Sequence, residues 1–351
     1  MAKIDNFFQD LIKNKGSDLH LEQGQKPKIR LHGELQELGD YPVLAQNFLT
    51  DVLKEIVDAQ EWAEFENNGD LDFAYALGQQ ARLRANYFRH FYGLGAVFRL
   101  IPSEICTLDQ LAMPETLRNF ANLRSGLVLI TGPTGSGKST TLAAVIDHIN
   151  KTKIKKIVTI EEPVEFIHPK KESMITHREV GLDTASFANG LRSAIKSDVN
   201  IILVGEMRDR ETIELALTAA EMGILVFGTL HTNSAAKTID RVIDVFPANK
   251  KNQIRTVLAN NLKAVVAQQL LKRTDGKGRV VAYEILTEAP SIAPIILSGK
   301  TVKLTSEIQM NKKSGMILMD DCLTQLVNSG VVTREAAYMK ALDKNRFMAE
   351  S

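Results

Sequence analysis

The eight residues GPTGSGKS at 132–139 restrict what this chain can fold into more than any other stretch. An apolar run, GLVLIT (126–131), leads into them, and TTLAAVIDHIN leads out with Leu142, Val145, Ile146 and Ile149 at helical spacing. Strand, glycine-rich loop and helix in that order match the phosphate-binding pattern G-x-x-x-x-G-K-[ST]. Average residue usage makes a chance match in a chain of 351 residues about one in a hundred, and the flanking elements leave little room for a merely glycine-rich turn. Glycines let backbone N–H groups turn toward an anion, and the helix N-terminus adds its positive end. Gly132, Pro133, Thr134, Gly135, Ser136, Gly137, Lys138, Ser139 and Thr140 are therefore expected to cradle ATP. Lys138 can reach the β- and γ-phosphates, and the Ser139 hydroxyl is placed to ligate Mg²⁺.

From this loop onward strands and helices alternate, which predicts an α/β fold with a mostly parallel sheet covered by helices. The expected strands are GLVLIT (126–131), KIVTIE (156–161), NIILVGE (200–206), ILVFGTLH (224–231) and RVVAYEIL (279–286). Between them, DRETIELALTAAEMG presents Ile213, Ala216, Leu217 and Ala220 on one face and ends at Gly223. Ligands of open α/β sheets bind at the carboxyl ends of the strands, so what stands at those ends matters. NIILVGE delivers Glu206, where a carboxylate can hold a Mg²⁺ shell or deprotonate an attacking water. KIVTIEEPVEF delivers Glu161, Glu162 and Glu165 just past another strand. His231 closes a third strand and is expected to face the same crevice as Lys138 and Glu206. An imidazole there can sense the γ-phosphate and pass its presence to TNSAAKTIDR; a histidine packed at a strand end is the simpler alternative.

The first hundred residues read differently, as short strands mixed with helices. MAKIDNFFQDLIKNK aligns Ile4, Phe7, Phe8, Leu11 and Ile12 on one helical face, and its mixed charges exclude a Sec signal peptide. KIRLHGEL (28–35) suggests a hairpin turning at Gly33, and RLRANYF (82–88) and GAVFRLI (95–101) suggest strands. DVLKEIVDAQEWAEF reads as one helix through Leu53, Ile56, Val57 and Trp62. Pro102 and Pro114 bracket an expected linker, giving domains at 1–101 and 115–351 with residues 102–114 between them.

The chain carries 43 basic and 42 acidic residues, so it lacks the basic stripe of a nucleic-acid binder. Cys106 and Cys322 are far apart with no histidine at ligand spacing, so no zinc site is readable. No apolar run approaches the ~18 residues of a transmembrane helix. A cytoplasmic protein without membrane insertion is expected.

Together these motifs resemble the PilT-type ATPases that retract bacterial type IV pili, in the secretion-ATPase superfamily. The blocks are GSDLHLEQGQKPKIRLHG (16–33), RLRAN and AVFRLIP (82–102), GLVLITGPTGSGKSTTLAAVID (126–147), VTIEEPVEF (158–166), REVG (178–181), ILVGEMRD (202–209) and TLHTNSAAKTIDRVIDVFP (229–247). The resemblance implies a PAS-like N-terminal domain, a RecA-like ATPase domain with C-terminal helices, and a homohexameric ring. It implies docking on the pilus platform protein at the cytoplasmic face of the inner membrane. It maps an acidic box onto Glu161, Glu162 and Glu165, a Walker B glutamate onto Glu206 and a histidine box onto His231, with Glu165 and Glu206 as the catalytic carboxylates. The arginines of RLR and VFR, Arg82, Arg84 and Arg99, are implied to complete the ATP site between domains or across a subunit boundary. Arg192, Arg208 and Arg210 are the cations of the ATPase domain itself. The chain departs from the family in reading Glu161-Glu162-Pro163 for E-D-P, and SIAPIILSG (291–299) echoes the C-terminal A-I-R-N-L-I motif without its arginine. A pilus-extension or type II secretion ATPase, an accessory retraction ATPase, a nucleic-acid motor and a regulatory nucleotide-binding subunit are the alternatives.

Overall fold

Alternating apolar and polar residues in the first hundred positions produce an antiparallel sheet with one face in a core and one in solvent. The computed structural model describes residues 2–31, 34–78, 80–101, 105–276 and 278–348. It divides into two units, Met1–Glu104 and Ile105–Ser351. The first contains α1 (Asp5–Lys13), β1 (Asp18–Glu22), β2 (Lys28–Leu31), β3 (Glu34–Glu37), α2 (Gln46–Lys54), α3 (Ala59–Asn68), β4 (Asp70–Leu77), β5 (Ala81–His90) and β6 (Gly93–Ile101). Its sheet runs β3-β2-β1-β6-β5-β4, and every pairing is antiparallel. Leu83, Ala85 and Tyr87 of β5 point inward and join Ile4, which precedes α1, and Phe7, Phe8 and Leu11 of α1, while Ile12 is only partly buried. Strands β2 and β3 pair as the expected hairpin; the turn residue Gly33 lies outside the described residues.

One expected helix is two. The run 51–65 breaks after Lys54, and α3 restarts behind Asp58. The Asp58 carboxylate accepts the N–H groups of Gln60 and Glu61, each at 2.8 Å, and its own N–H donates to Glu61 at 2.9 Å. This reciprocal box satisfies donors that a new helix leaves orphaned, so the helix starts again rather than continuing.

In the second unit, continuous apolar runs become strands buried on both faces. Its strands are β7 (Gly126–Thr131), β8 (Lys156–Glu161), β9 (Met174–Glu179), β10 (Ile201–Val204), β11 (Leu225–Leu230), β12 (Leu262–Lys272) and β13 (Arg279–Thr287). They are ordered β13-β12-β7-β11-β10-β8-β9, parallel except where β13 turns back along β12. Along β7, Leu127 and Leu129 enter one core while Val128 and Ile130 enter the other. The helices are α4 (Glu115–Asn119), α5 (Lys138–Thr152), α6 (Phe187–Ile195), α7 (Arg210–Glu221), α8 (Ala235–Asp244), α9 (Ala248–Asn261), α10 (Ile292–Ser298), α11 (Leu304–Met310), α12 (Met319–Asn328) and α13 (Arg334–Lys340). Leu108 and Met113, just before α4, are buried with Val128 and Ile130. Strands β9 and β12 are additions to the sequence reading. MITHRE is too polar to stand out, and Gln268-Gln269 interrupts the apolar run of β12. Among the described residues no helix is long and apolar enough to cross a membrane.

Candidate active site

The phosphate-binding loop spans residues 132–137, between the last residue of β7 and the first of α5. Gly132 has φ 146°, and a Cβ there would lie 2.3 Å from the Gln268 carbonyl oxygen, so both conformation and space demand glycine. Helix α5 begins on Gly137, which has no side chain to cap its first turn. The N–H groups of that turn therefore suit an incoming anion. Lys138 Nζ donates to the carbonyls of Gly132 at 2.9 Å and Pro133 at 3.2 Å. Burial lowers its pKa, while the charges of Glu206 and Glu165 act to raise it. The ammonium thus rests on its own loop and feels the charges of the two carboxylates singled out from the sequence.

Parallel pairing brings the other candidates to the same edge. Val204 of β10 lies beside Ile160 of β8 and Gly228 of β11, and Leu230 lies beside Thr131. Glu161, the last residue of β8, shares a small cavity with Ser139, His168 and Gly205. The Glu165 N–H donates to Glu161 Oε2 at 3.4 Å, and the Glu165 side chain is exposed. Glu206 follows β10, and its Oε1 lies 2.7 Å from Arg208 Nε and 3.0 Å from His231 Nε2. Burial pushes the Glu206 carboxyl up, but Arg208, aided by His231, outweighs it and holds the group below the usual carboxylate range. Arg208 also lies 3.6 Å from Glu162, so it spans both acidic strand ends. His231 is 42% exposed, so its ring is open to solvent at the strand end.

Several participants escaped the sequence reading. Gln268 Nε2 of β12 donates to the Ser136 carbonyl at 2.8 Å and anchors the loop from outside. Gln268 Oε1 and Ser136 Oγ are buried with no hydrogen-bond partner among the described residues. Each such atom costs about 1–3 kcal/mol, so this loop is built for a polar ligand. A polar pair inside an apolar strand was the available signal. His177 lies 3.9 Å from Glu161 and 3.0 Å from Thr159 Oγ1, and it accepts the His168 N–H at 3.2 Å. His168 stacks on it at 5.6 Å; burial, then the His177 charge, push the His168 pKa down to about 4. No sequence pattern marks these two histidines. A threonine cluster ties the strand ends together: Thr238 Oγ1 lies 2.7 Å from Thr232 Oγ1 and 3.4 Å from Thr131 Oγ1.

Arg82, Arg84 and Arg99 of the first unit share one face of its sheet. Arg84 and Arg99 are register partners on β5 and β6, and Arg82 precedes Arg84 by two residues. Arg99 Nε lies 2.8 Å from the buried Asp18, and Arg84 lies 3.9 Å from Asp72. Arg192 pairs with Glu211, and Arg210 lies 3.8 Å from Glu214.

The family model described as type II/IV secretion system protein matches residues 1–314. The type IV pilus retraction ATPase PilT of Pseudomonas aeruginosa is 47% identical over 329 residues, covering 94% of this chain and 95% of that protein. A twitching motility protein of Neisseria gonorrhoeae is 46% identical over 315 residues, covering 90% of this chain and 84% of its own length. A crystal structure of the pilus retraction motor PilT with bound ADP superposes with a TM-score of 0.92 at 39% identity, covering 99% of this chain and 98% of that one. Matches of this length span both units, and the chain therefore belongs to the type II/IV secretion system protein family, in its branch of PilT-type pilus retraction ATPases.

Proposed function

We propose that this protein hydrolyses ATP to power retraction of a type IV pilus. One carboxylate oxygen carries the reading: Glu206 Oε1 meets both His231 and Arg208, at the edge where Lys138 feels the Glu206 charge. Lys138 balances the β- and γ-phosphates. Glu206 orients the attacking water and accepts its proton. Arg208 keeps that carboxylate ionised but weakens it as a base, so the contact must loosen for turnover. Glu161 and Glu165 hold the neighbouring strand end, and His231 reports the γ-phosphate to α8.

Among the described residues no cluster of three or more His, Cys, Asp or Glu side chains could hold a metal alone. That fits a site where Ser139 and Glu206 hold Mg²⁺ together with phosphate oxygens. The ion, when bound, neutralises phosphate charge.

The insertion of β11 between the phosphate-loop strand and the acidic strand supports a RecA-like domain, and the antiparallel sheet with its helices supports a PAS-like one. The working form in this reading is a homohexamer at the cytoplasmic face of the inner membrane, against the platform protein. Arg82, Arg84 and Arg99 then serve a nucleotide across a subunit boundary, so specific activity rises with concentration as rings form. A deletion strain tests the function: excess pili without twitching supports retraction, and bald cells would assign the chain to extension instead. Full retraction in a strain making catalytically dead protein would reduce it to an accessory.

A further inference from the structure

Glu284 lies within β13 with its side chain 3% exposed. Its Oε1 accepts the N–H of Ala235 at 2.8 Å, and its Oε2 accepts the N–H of Met319 at 3.4 Å. Ala235 is the first residue of α8 and Met319 the first of α12. Both helices have ten residues, and both N-termini favour negative charge. Helix α8 has a further acceptor at its start, since Ser234 Oγ takes the Lys237 N–H at 3.3 Å. Helix α12 starts behind Leu318, whose apolar side chain can accept nothing. Burial, with the nearby Asp320 charge, pushes the Glu284 carboxyl above the usual carboxylate range, and the two N–H groups offset this only in part.

The position of this clamp gives it a consequence. Three residues separate Ala235 from His231, which touches Glu206. Thr232 and Thr238 fix the intervening turn to Thr131, at the end of the phosphate-loop strand. On the other side, Met319, Cys322 and Leu323 of α12 pack with Ala337 of α13, Phe347, and Leu271 and Ala282 of the sheet. Beside the clamp is a cavity of about 410 Å³, lined by Ser234, Leu304, Ile308, Met319, Asp343 and Arg346. The start of α12 therefore borders open space as well as the carboxylate, which itself lines the cavity.

We propose that Glu284 is a positioning residue that ties the His231 segment to α12, so that a shift of His231 at the nucleotide moves the C-terminal helices. It touches no reacting atom and acts through His231. The proposal rests on reading Lys138, Glu206 and His231 as an ATP site.

Hydrogen exchange of the full chain tests it, with saturating ADP against a non-hydrolysable ATP analogue. The peptides to follow cover the phosphate loop, α8 and α12. In the unmodified protein, exchange across α12 should differ between the two nucleotides. Glu284→Gln keeps the shape but turns an NH₂ toward one of the two N–H groups, so one cap fails. It should lose the nucleotide-dependent difference at α12 while the phosphate loop remains protected. A purely structural cap would instead loosen α12 equally in both states and leave their difference intact, which would overturn the proposal. The same holds if α12 never distinguishes the two nucleotides. His231→Ala breaks the link at its other end with Glu284 in place, and should abolish the α12 difference while loop protection persists. Absence of any nucleotide response at the phosphate loop would remove the ATP site, and the relay with it.

Discussion

The two sheets of this molecule use side chains in opposite ways. In the second unit, β7, β8, β10 and β11 spend most of their length in two cores, and the charged candidates stand at or just past their carboxyl ends: Lys138, Glu161, Glu206 and His231. In the first unit, β5 and β6 bury alternate residues and leave Arg82, Arg84 and Arg99 on the other face. A parallel sheet covered on both sides can offer chemistry only at its edge, whereas a half-open antiparallel sheet can offer a whole face. The first arrangement fixes a small site rigidly. The second displays charge to whatever approaches.

The largest expected effect would break this contrast if it failed. An arginine aimed at a phosphoryl transition state is worth about 10³–10⁵-fold in rate. Arg84, held by Asp72 only at 3.9 Å where Arg99 meets Asp18 at 2.8 Å, is the more available of these two register partners to serve so. Arg84→Ala should therefore collapse ATP turnover with nucleotide affinity retained. Turnover unchanged at every protein concentration would leave the exposed face with no part in hydrolysis.

Next in size is the edge itself. Glu206→Gln preserves shape but removes the base, which should slow hydrolysis by about 10²–10⁴-fold while bound ATP persists. Near-normal single-turnover rates would move the base to Glu165.

Lys138→Ala sharpens the same point through affinity. Charge-assisted hydrogen bonds contribute about 1.5–3 kcal/mol each, so equilibrium ATP binding should weaken at least tenfold. Unaltered binding would dismiss the loop as a phosphate site.

The smallest effect belongs to the first unit's local architecture. Asp58→Ala removes the cap of α3 and should destabilise the protein by about 1 kcal/mol in denaturant unfolding, with ATP binding unchanged. No shift in the midpoint would mean that the break before α3 is held by packing alone.

The expectation for the second unit was legible because its strands are unbroken apolar runs and its loop is a spacing pattern. Both are local properties. Glu206 and His231 could be placed on one edge because parallel strands align their ends. Their meeting at a single oxygen, with Arg208 as a third partner, depends on how β10 and β11 register. The break at Asp58 was written in D-A-Q-E, yet Leu53, Ile56, Val57 and Trp62 mask it with continuous helical spacing.

The sequence by itself determined the elements and the chemistry at the ends of the central strands, since a phosphate loop and apolar strands are recognised from neighbours along the chain. Only the tertiary structure decided that Gln268 anchors the loop and that His177 lies near Glu161. It alone decided that Glu284 caps two helices at once. Those contacts join residues far apart in sequence, and which buried polar atom meets which depends on register and packing that no local pattern encodes.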